Sequence, residues 1–556
     1  MGNDDGIITI FAQNLDCFVP RSDAKRQKVS CPVSRSPVSI LILKYLNLKY
    51  KIVMDAKIAM NPNRLVQYLQ KPASEFTRAD IIRYCEENEI EFVNFHYCGW
   101  DGKLKTLNFV IHSAEHLENI LTAGERVDGS SLFPFIEAGK SDLYVVPKYR
   151  TAFRNPFTEV PTLDILCSFY NRDGEPFESS PEYILHKAHE AFKKTTGLKM
   201  ETMGELEYYI IADDEEIYEV PDQKGYHESA PFNKFTEYRV EAMRLIAQAG
   251  GLIKYGHSEV GNFTHDGKIY EQNEIEFLPT NIEDAADQLV VAKWIMRQLA
   301  YQYGVTLTFA PKITVGKAGS GMHVHCKFTK DGKSVMVNKG ELSDYGKKAI
   351  AGYMDAGTSL PAFGNPNPLS FLRLVPHQEA PTSLCWSYSN RSALVRVPLG
   401  WINNGKDMAA NANPLEKKSN KDFSEKQTFE WRASDGCADM YLLMAALCCA
   451  ARHGFEMPDA LEVAEKTYVG LGVNIHDDKN KKLQESLEQL PDSCVAAAKE
   501  LAKDRKIYTD KGVFSDSIVD YMIKFLTDFN DANLRKELGN DTEKILKLVK
   551  ENIHVG

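Results

Sequence analysis

Lys317-Ala318-Gly319-Ser320-Gly321-Met322-His323-Val324-His325 is the stretch on which the reading of this chain turns. A loop of small residues follows the apolar, strand-like run Val305 to Ala310 and delivers two histidines at i and i+2. In extended chain, alternate side chains share a face, so His323 and His325 point together at one site. Glycine lets a backbone come close to a ligand, and neutral imidazole is a common metal ligand. Alone the pair means little, since histidines on a strand are more often surface or core residues than ligands. Three other segments repeat the geometry with carboxylates.

Met203-Gly204-Glu205-Leu206-Glu207-Tyr208-Tyr209-Ile210-Ile211 reads as a strand of β-branched and aromatic residues, with two glutamates on one face. Gln272-Asn273-Glu274-Ile275-Glu276-Phe277 repeats the pattern, and Glu259 lies upstream in His257-Ser258-Glu259-Val260. Gln427-Thr428-Phe429-Glu430-Trp431-Arg432 puts a glutamate and an arginine on one face. Any one of these strands, taken alone, reads more readily as a half-solvated sheet. Together they gather glutamates that repel one another and lose hydration unless cations neutralise them. A site rich in oxygen with an imidazole suits Mg²⁺ or Mn²⁺ better than Zn²⁺.

Arginines supply the opposite charge. Arg373 sits in Phe371-Leu372-Arg373-Leu374-Val375-Pro376, just before Glu379-Ala380-Pro381. Arg391 and Arg396 lie in Ser389-Asn390-Arg391-Ser392-Ala393-Leu394-Val395-Arg396-Val397-Pro398, and Arg432 closes the fourth strand. Guanidinium in apolar sequence needs a partner, and its fork fits carboxylate or phosphate. Structural Arg–Glu pairing accounts for some of these residues. Divalent ions held by carboxylates, with arginines beside them, are also what phosphoryl transfer requires.

From about residue 60 to 556 the chain resembles glutamine synthetase of the bacterial type I class. The resemblance rests on Asp128-Gly129-Ser130-Ser131 followed by Lys140-Ser141-Asp142, on Gly204-Glu205-Leu206-Glu207, on the glycine-rich loop through His323, on Asn390-Arg391-Ser392 and on Glu430-Trp431-Arg432, all in the family's order. It implies an α+β fold: a small β-grasp-like domain over 60–160, then a catalytic domain over 161–556. In the latter an antiparallel sheet lines the active site, and the chain is mostly helical from about 436. It implies two catalytic ions, Mg²⁺ or Mn²⁺, one held by Glu207, Glu259 and Glu274 and the other by Glu205, His323 and Glu430. It further implies that Arg373 takes the substrate α-carboxylate with the Gly319 backbone, that His325 lines the substrate pocket, and that Arg391, Arg396 and Arg432 neutralise the transferred phosphoryl group. Asp128 of a neighbouring subunit would accept a proton from ammonium, and Glu379 would close a flap over the intermediate. ATP, glutamate and ammonium are the substrates so implied, and the assembly a homo-oligomer of two stacked six-membered rings.

The chain departs from the family at Val127, where an aromatic is usual, and at Ala318, where asparagine is common. Lys327 and Thr428 replace a serine and an arginine near the nucleotide. An inserted stretch, Phe263 to Ile269, reads as a hairpin around an Asp-Gly turn. Two rival readings are a ligase that joins glutamate to another amine and a catalytically inactive structural relative. The first needs a pocket reshaped for a bulky amine; the second is expected to lose metal carboxylates, which are all present.

At 556 residues the chain exceeds what one core packs, so two or more domains are expected. Its 43% hydrophobic and 26% charged content is that of an ordinary soluble protein, and a net charge of -11 argues against general nucleic-acid binding. Eleven cysteines without a spacing framework point to a reducing cytoplasm. The apolar run Val38 to Leu43 ends at Lys44, too short for a membrane span or a signal core. Residues 1–59 lack the patterning of the rest and read as a disordered leader or upstream sequence, with Met54 or Met60 as the native start. Thr77-Arg78-Ala79-Asp80 should cap a helix through Glu86, with strands at Ile90 to Tyr97, Lys105 to Ile111 and Leu143 to Pro147. Helices are expected over Glu182–Lys194 and Asp284–Gln302, and after the caps at Ser493 and Ser515.

Overall fold

Period-two alternation of apolar residues builds two sheets, and a computed structural model describes them over residues 56–556, apart from 137, 377–379, 401–404, 420 and 540. The reading of the leader therefore falls, up to residue 55, outside the described residues; Ala56–Ala59 form a helical turn.

The first sheet contains β1 (Phe92–Cys98), β2 (Leu104–Val110), β3 (Glu125–Asp128), β4 (Asp142–Pro147), β5 (Phe153–Arg154) and β6 (Thr162–Tyr170). Its order is β2-β1-β6-β4-β3 with β5 also on β6; β1 and β6 run parallel, the other pairs antiparallel. A helix over Arg78–Glu87 begins with the expected cap, a reciprocal box in which the Thr77 hydroxyl accepts from the Asp80 amide and the Asp80 carboxylate accepts from the Thr77 amide at 2.8 Å. One boundary moves. β6 falls after residue 160, in the stretch read as the catalytic body, yet it pairs with β1, β4 and β5, so the first sheet extends to Tyr170. Its mostly buried sequence, Thr-Leu-Asp-Ile-Leu-Cys-Ser-Phe-Tyr, shows no solvent face from which its sheet could be read. Asp164 on β6 is fully buried and accepts hydrogen bonds from the side-chain amides of Asn94 (2.6 Å) and Asn155 (2.7 Å), with His96 Nε2 3.5 Å away.

The second sheet contains β7 (Lys199–Asp213), β8 (Ile253–His265), β9 (Lys268–Phe277), β10 (Thr280–Asn281), β11 (Thr306–Thr308), β12 (Met322–Lys330) and β13 (Lys333–Ser334). After a separate two-stranded ribbon, β14 (Val337–Asn338) and β15 (Glu341–Leu342), it adds β16 (Trp386–Tyr388), β17 (Val395–Val397) and β18 (Phe429–Trp431). The main path is β16-β17-β18-β12-β7-β9-β8, antiparallel except for β16 with β17. The apolar run at Val305 to Ala310 is strand only over Thr306–Thr308. β8 and β9 form the expected hairpin, with Asp266 and Gly267 at φ +48° and +68°, the left-handed pair a two-residue turn demands.

Helices back this sheet. Met440–Glu456 is apolar all round and buried from Met440 through Arg452, as a core helix should be, and packs on Pro181–Thr196 and Asp344–Asp355. Ile282–Tyr303 buries a broad face. Beyond residue 436 the described chain is mainly helical. Ser493 and Ser515 accept from the third amide of Cys494–Thr509 and Asp516–Asp528, and the stripe Ile518, Val519, Met522 and Leu526 faces the core. No described helix is long and apolar enough to cross a membrane.

Candidate active site

Register brings the carboxylates together. Glu205 on β7 lies opposite His323 on β12 and opposite Glu276 on β9, while Glu207 lies opposite Glu274. Glu430 on β18 lies opposite both His325 and Arg396. Because side chains alternate, this whole set projects from one face of the sheet. It enters a cavity of about 980 Å³ lined by all six residues of the expected metal set (Glu205, Glu207, Glu259, Glu274, His323 and Glu430), and by His325, Arg391, Arg396 and Arg432.

Glu205 is the hub. Its carboxylate meets His325 Nε2 at 2.7 Å and His323 Nδ1 at 3.1 Å. Burial pushes its carboxyl up, but the two imidazoles outweigh burial and hold it well below the usual range. Burial pushes His325 down, and Glu205 beside it raises it overall. Glu430 is fully buried; Arg396 Nε lies 2.6 Å and Arg432 Nε 3.0 Å from its two oxygens. Burial and Glu205 push the Glu430 carboxyl up, and the arginines with His325 bring it below its ordinary value. Glu274 has the opposite balance. Burial first, then the charges of Glu205, Glu207, Glu259 and Glu276, drive its carboxyl well above the usual range. An acid so destabilised as an anion is suited to a cation.

The glycine loop is shaped by close approach. A Cβ on Gly319 would sit 2.5 Å from the Pro311 carbonyl oxygen, and one on Gly321 would sit 2.5 Å from Arg373 Nη2. Gly321 donates its amide to Glu207 at 2.8 Å. Gln272, which residue pattern alone did not single out, donates to Glu207 (3.1 Å) and to the Gly319 carbonyl (3.0 Å), tying the loop to a carboxylate. Behind His323, buried Arg373 donates to the carbonyls of Ala433 (2.8 Å), Arg432 (3.2 Å) and Ser434 (3.3 Å), and stands 3.2 Å from His323 Nε2.

Neither Arg373 nor Gly319 lines the cavity; both form its wall one layer back. Asp128 is exposed at the end of β3 and lies outside this cavity. The hydroxyls of Ser130 (2.6 Å) and Ser131 (2.7 Å) donate to it and hold its carboxyl below the usual value. Glu379 lies outside the described residues. Two convergent donor groups stand out: Glu205, His325 and Glu430, and His257, Glu274 and Glu276, each with ligand atoms within 4.8 Å of one another. His325 thus joins the first carboxylate pair alongside His323, and Glu276 and His257 join the second cluster. Glu276 was visible as the second acid of its alternating strand; His257 lay two residues before Glu259.

Buried carboxylates with imidazole on one face, bounded by arginines, make the donor set of a divalent-cation enzyme that handles anionic groups. Comparison with known proteins gives the family. The profile described as "Glutamine synthetase, catalytic domain" matches residues 178–532, and "Glutamine synthetase, beta-Grasp domain" matches residues 89–172. The chain belongs to the glutamine synthetase family. It is 29% identical over 464 residues to glutamine synthetase of Pyrococcus furiosus, covering 83% of this chain and 95% of the relative. It is 27% identical over 493 residues to that of Mycolicibacterium smegmatis, covering 81% and 95%. Its fold matches the cryo-electron-microscopy structure of Plasmodium falciparum glutamine synthetase, with TM-score 0.66 at 21% identity over 84% of this chain and 98% of that one.

Proposed function

We propose that this cavity joins ammonia to the side-chain carboxylate of L-glutamate at the expense of ATP, through γ-glutamyl phosphate, giving L-glutamine, ADP and phosphate. The observation that carries this reading is Glu430: one fully buried carboxylate shared between two arginines on one side and the Glu205–imidazole group on the other. A carboxylate is a poor acyl donor, so it must be activated before an amine displaces a leaving group. Arg391, Arg396 and Arg432, which line the cavity, neutralise the phosphoryl group during transfer. Two divalent ions, Mg²⁺ or Mn²⁺, would be held by Glu205, Glu430 and the His323–His325 pair, and by Glu207, Glu259 and Glu274, and would supply further charge neutralisation on the phosphates.

The second half-reaction needs a base for ammonium. Asp128 is ionised and exposed and lies outside its own chain's cavity, which supports its serving the site of a neighbouring chain in a dodecamer of two six-membered rings. The free cysteines among the described residues, nearly all buried, fit a cytoplasmic enzyme.

The test is phosphate release from ATP with glutamate, offering ammonium, methylamine and a polyamine in turn. Turnover that depends on ammonium is expected; turnover with another amine alone would move the reading to a different glutamate ligase, and none with any amine would sink it. Mixing inactive Asp128→Asn with inactive Glu430→Gln chains should restore part of the activity. Confirmed mixing without recovery would place each site within one chain.

A further inference from the structure

The cavity lining contains a basic residue, Lys254, that the reaction described above does not use. Between Ile253 and Tyr255 the pairing of β8 with β9 shifts: Ile253 lies opposite Phe277, but Tyr255 lies opposite Glu276, leaving Lys254 as an extra residue in a bulge. A bulge re-aims side chains, and bulges are over-represented beside active sites. Here it turns Lys254 and Tyr255 toward the cavity. Lys254 Nζ lies 2.6 Å from Glu276 Oε2 and over the Tyr255 ring, 4.7 Å from its centre. The Glu276 side chain is 6% exposed and that of Lys254 37%.

Glu276 is no distant bystander. Its oxygen converges with those of Glu274 and a ring nitrogen of His257 within 4.8 Å, a donor set of two carboxylates and an imidazole with the chemistry of a divalent-cation site. Glu274 is needed elsewhere, for the ion shared with Glu207 and Glu259. A divalent ion seated between Glu274 and Glu276 would draw Glu274 off that task and would repel the ion beside it. Left bare, Glu276 would set a second uncompensated negative charge beside Glu274 on the same face of β9, opposite Glu205. A tethered ammonium answers both difficulties: it neutralises Glu276 with a single charge and cannot be diluted away.

We propose that Lys254 is a built-in counter-ion that occupies the Glu276 corner and keeps the His257–Glu274–Glu276 group from taking a divalent ion of its own. Lys254 is thus a positioning residue, acting through Glu276 on the ligand Glu274. The proposal rests on reading the cavity as a divalent-cation site.

The full chain is titrated with Mn²⁺ alone, without substrates, and free Mn²⁺ is followed by electron paramagnetic resonance. Lys254→Met removes the charge and keeps the stem's length. It should bind one more Mn²⁺ per chain than the wild type at saturation, and Lys254→Met with Glu276→Gln should return to the wild-type number. Glu276→Gln alone should keep that number. A folded Lys254→Met protein with the wild-type stoichiometry would overturn the proposal, and so would loss of an ion in Glu276→Gln, since Glu276 would then already be a ligand. If Lys254→Met does not fold, Lys254→Gln and the Glu276→Gln titration decide. Wild-type protein that binds no Mn²⁺ in the cavity would overturn the underlying reading as well, which separates the two failures.

Discussion

Both sheets bury acids, and they do so in opposite ways. On β6, Asp164 is matched by neutral amides: Asn94 and Asn155 each donate to it at hydrogen-bond distance inside a sealed layer. On the second sheet, Glu274 is buried to a similar degree but faces other carboxylates, which drive its carboxyl well above the usual range. A buried acid whose lone pairs are filled by fixed donors is part of the scaffold; one surrounded by its own kind is kept for a cation that arrives later. Stability and function are thus divided between the two layers.

The sharpest way to break this contrast is at Glu207. Glu207→Gln should lower kcat by on the order of a thousandfold, because it removes charge from a site that stabilises developing charge. Circular dichroism and assembly should stay unchanged, and near wild-type turnover at saturating Mg²⁺ would end the metal assignment. Asp164→Ala should do the reverse, costing about 3 kcal/mol in urea unfolding by stranding buried donors. A cost under about 1 kcal/mol would mean that Asp164 is not the scaffold acid it resembles.

Glu274 offers a test with a sign. Its folded carboxyl sits above the ordinary 4.5, so the metal-free native state binds the proton more tightly than the unfolded chain does. Its contribution to stability is therefore present at low pH and lost as pH rises through and above that value. In chelator, Glu274→Gln should melt higher than wild type, by a margin that grows with pH, and added Mn²⁺ should stabilise wild type more than the variant. A margin that shrinks with pH would refute the crowding of like charges. The smallest effect belongs to the cap. Thr77→Ala should cost about 1 kcal/mol in thermal unfolding without changing turnover, since only a helix end is touched.

Much of the site was legible because alternation along a strand is a local property. Glu205 with Glu207, His323 with His325, and Glu274 with Glu276 each share a face for that reason alone, and the Asp266-Gly267 turn and the Thr77 cap declare themselves in two to four residues. What could not be read is what depends on register between distant strands. Nothing in the sequence around Glu276 announces Lys254, since a bulge shows only once two strands are paired. The assignment of β6 to the first sheet is likewise a matter of partners, as is the Asp164 network, whose members lie 70 and 9 residues away in sequence. Arg373 was expected at the substrate, and the structure adds that it first braces the backbone after Glu430.

The hairpin between β8 and β9 sets where this enzyme tolerates a change in length. Its tip, Asp266-Gly267, is not part of the cavity lining, and residues added there would lengthen the hairpin without disturbing Glu274 opposite Glu207. One residue inserted between Glu205 and Glu207 would turn Glu207 to the opposite face of the sheet. Tags, linkers and binding loops for engineering therefore belong at that tip, while the short stretch of β7 between its two glutamates admits neither insertion nor deletion.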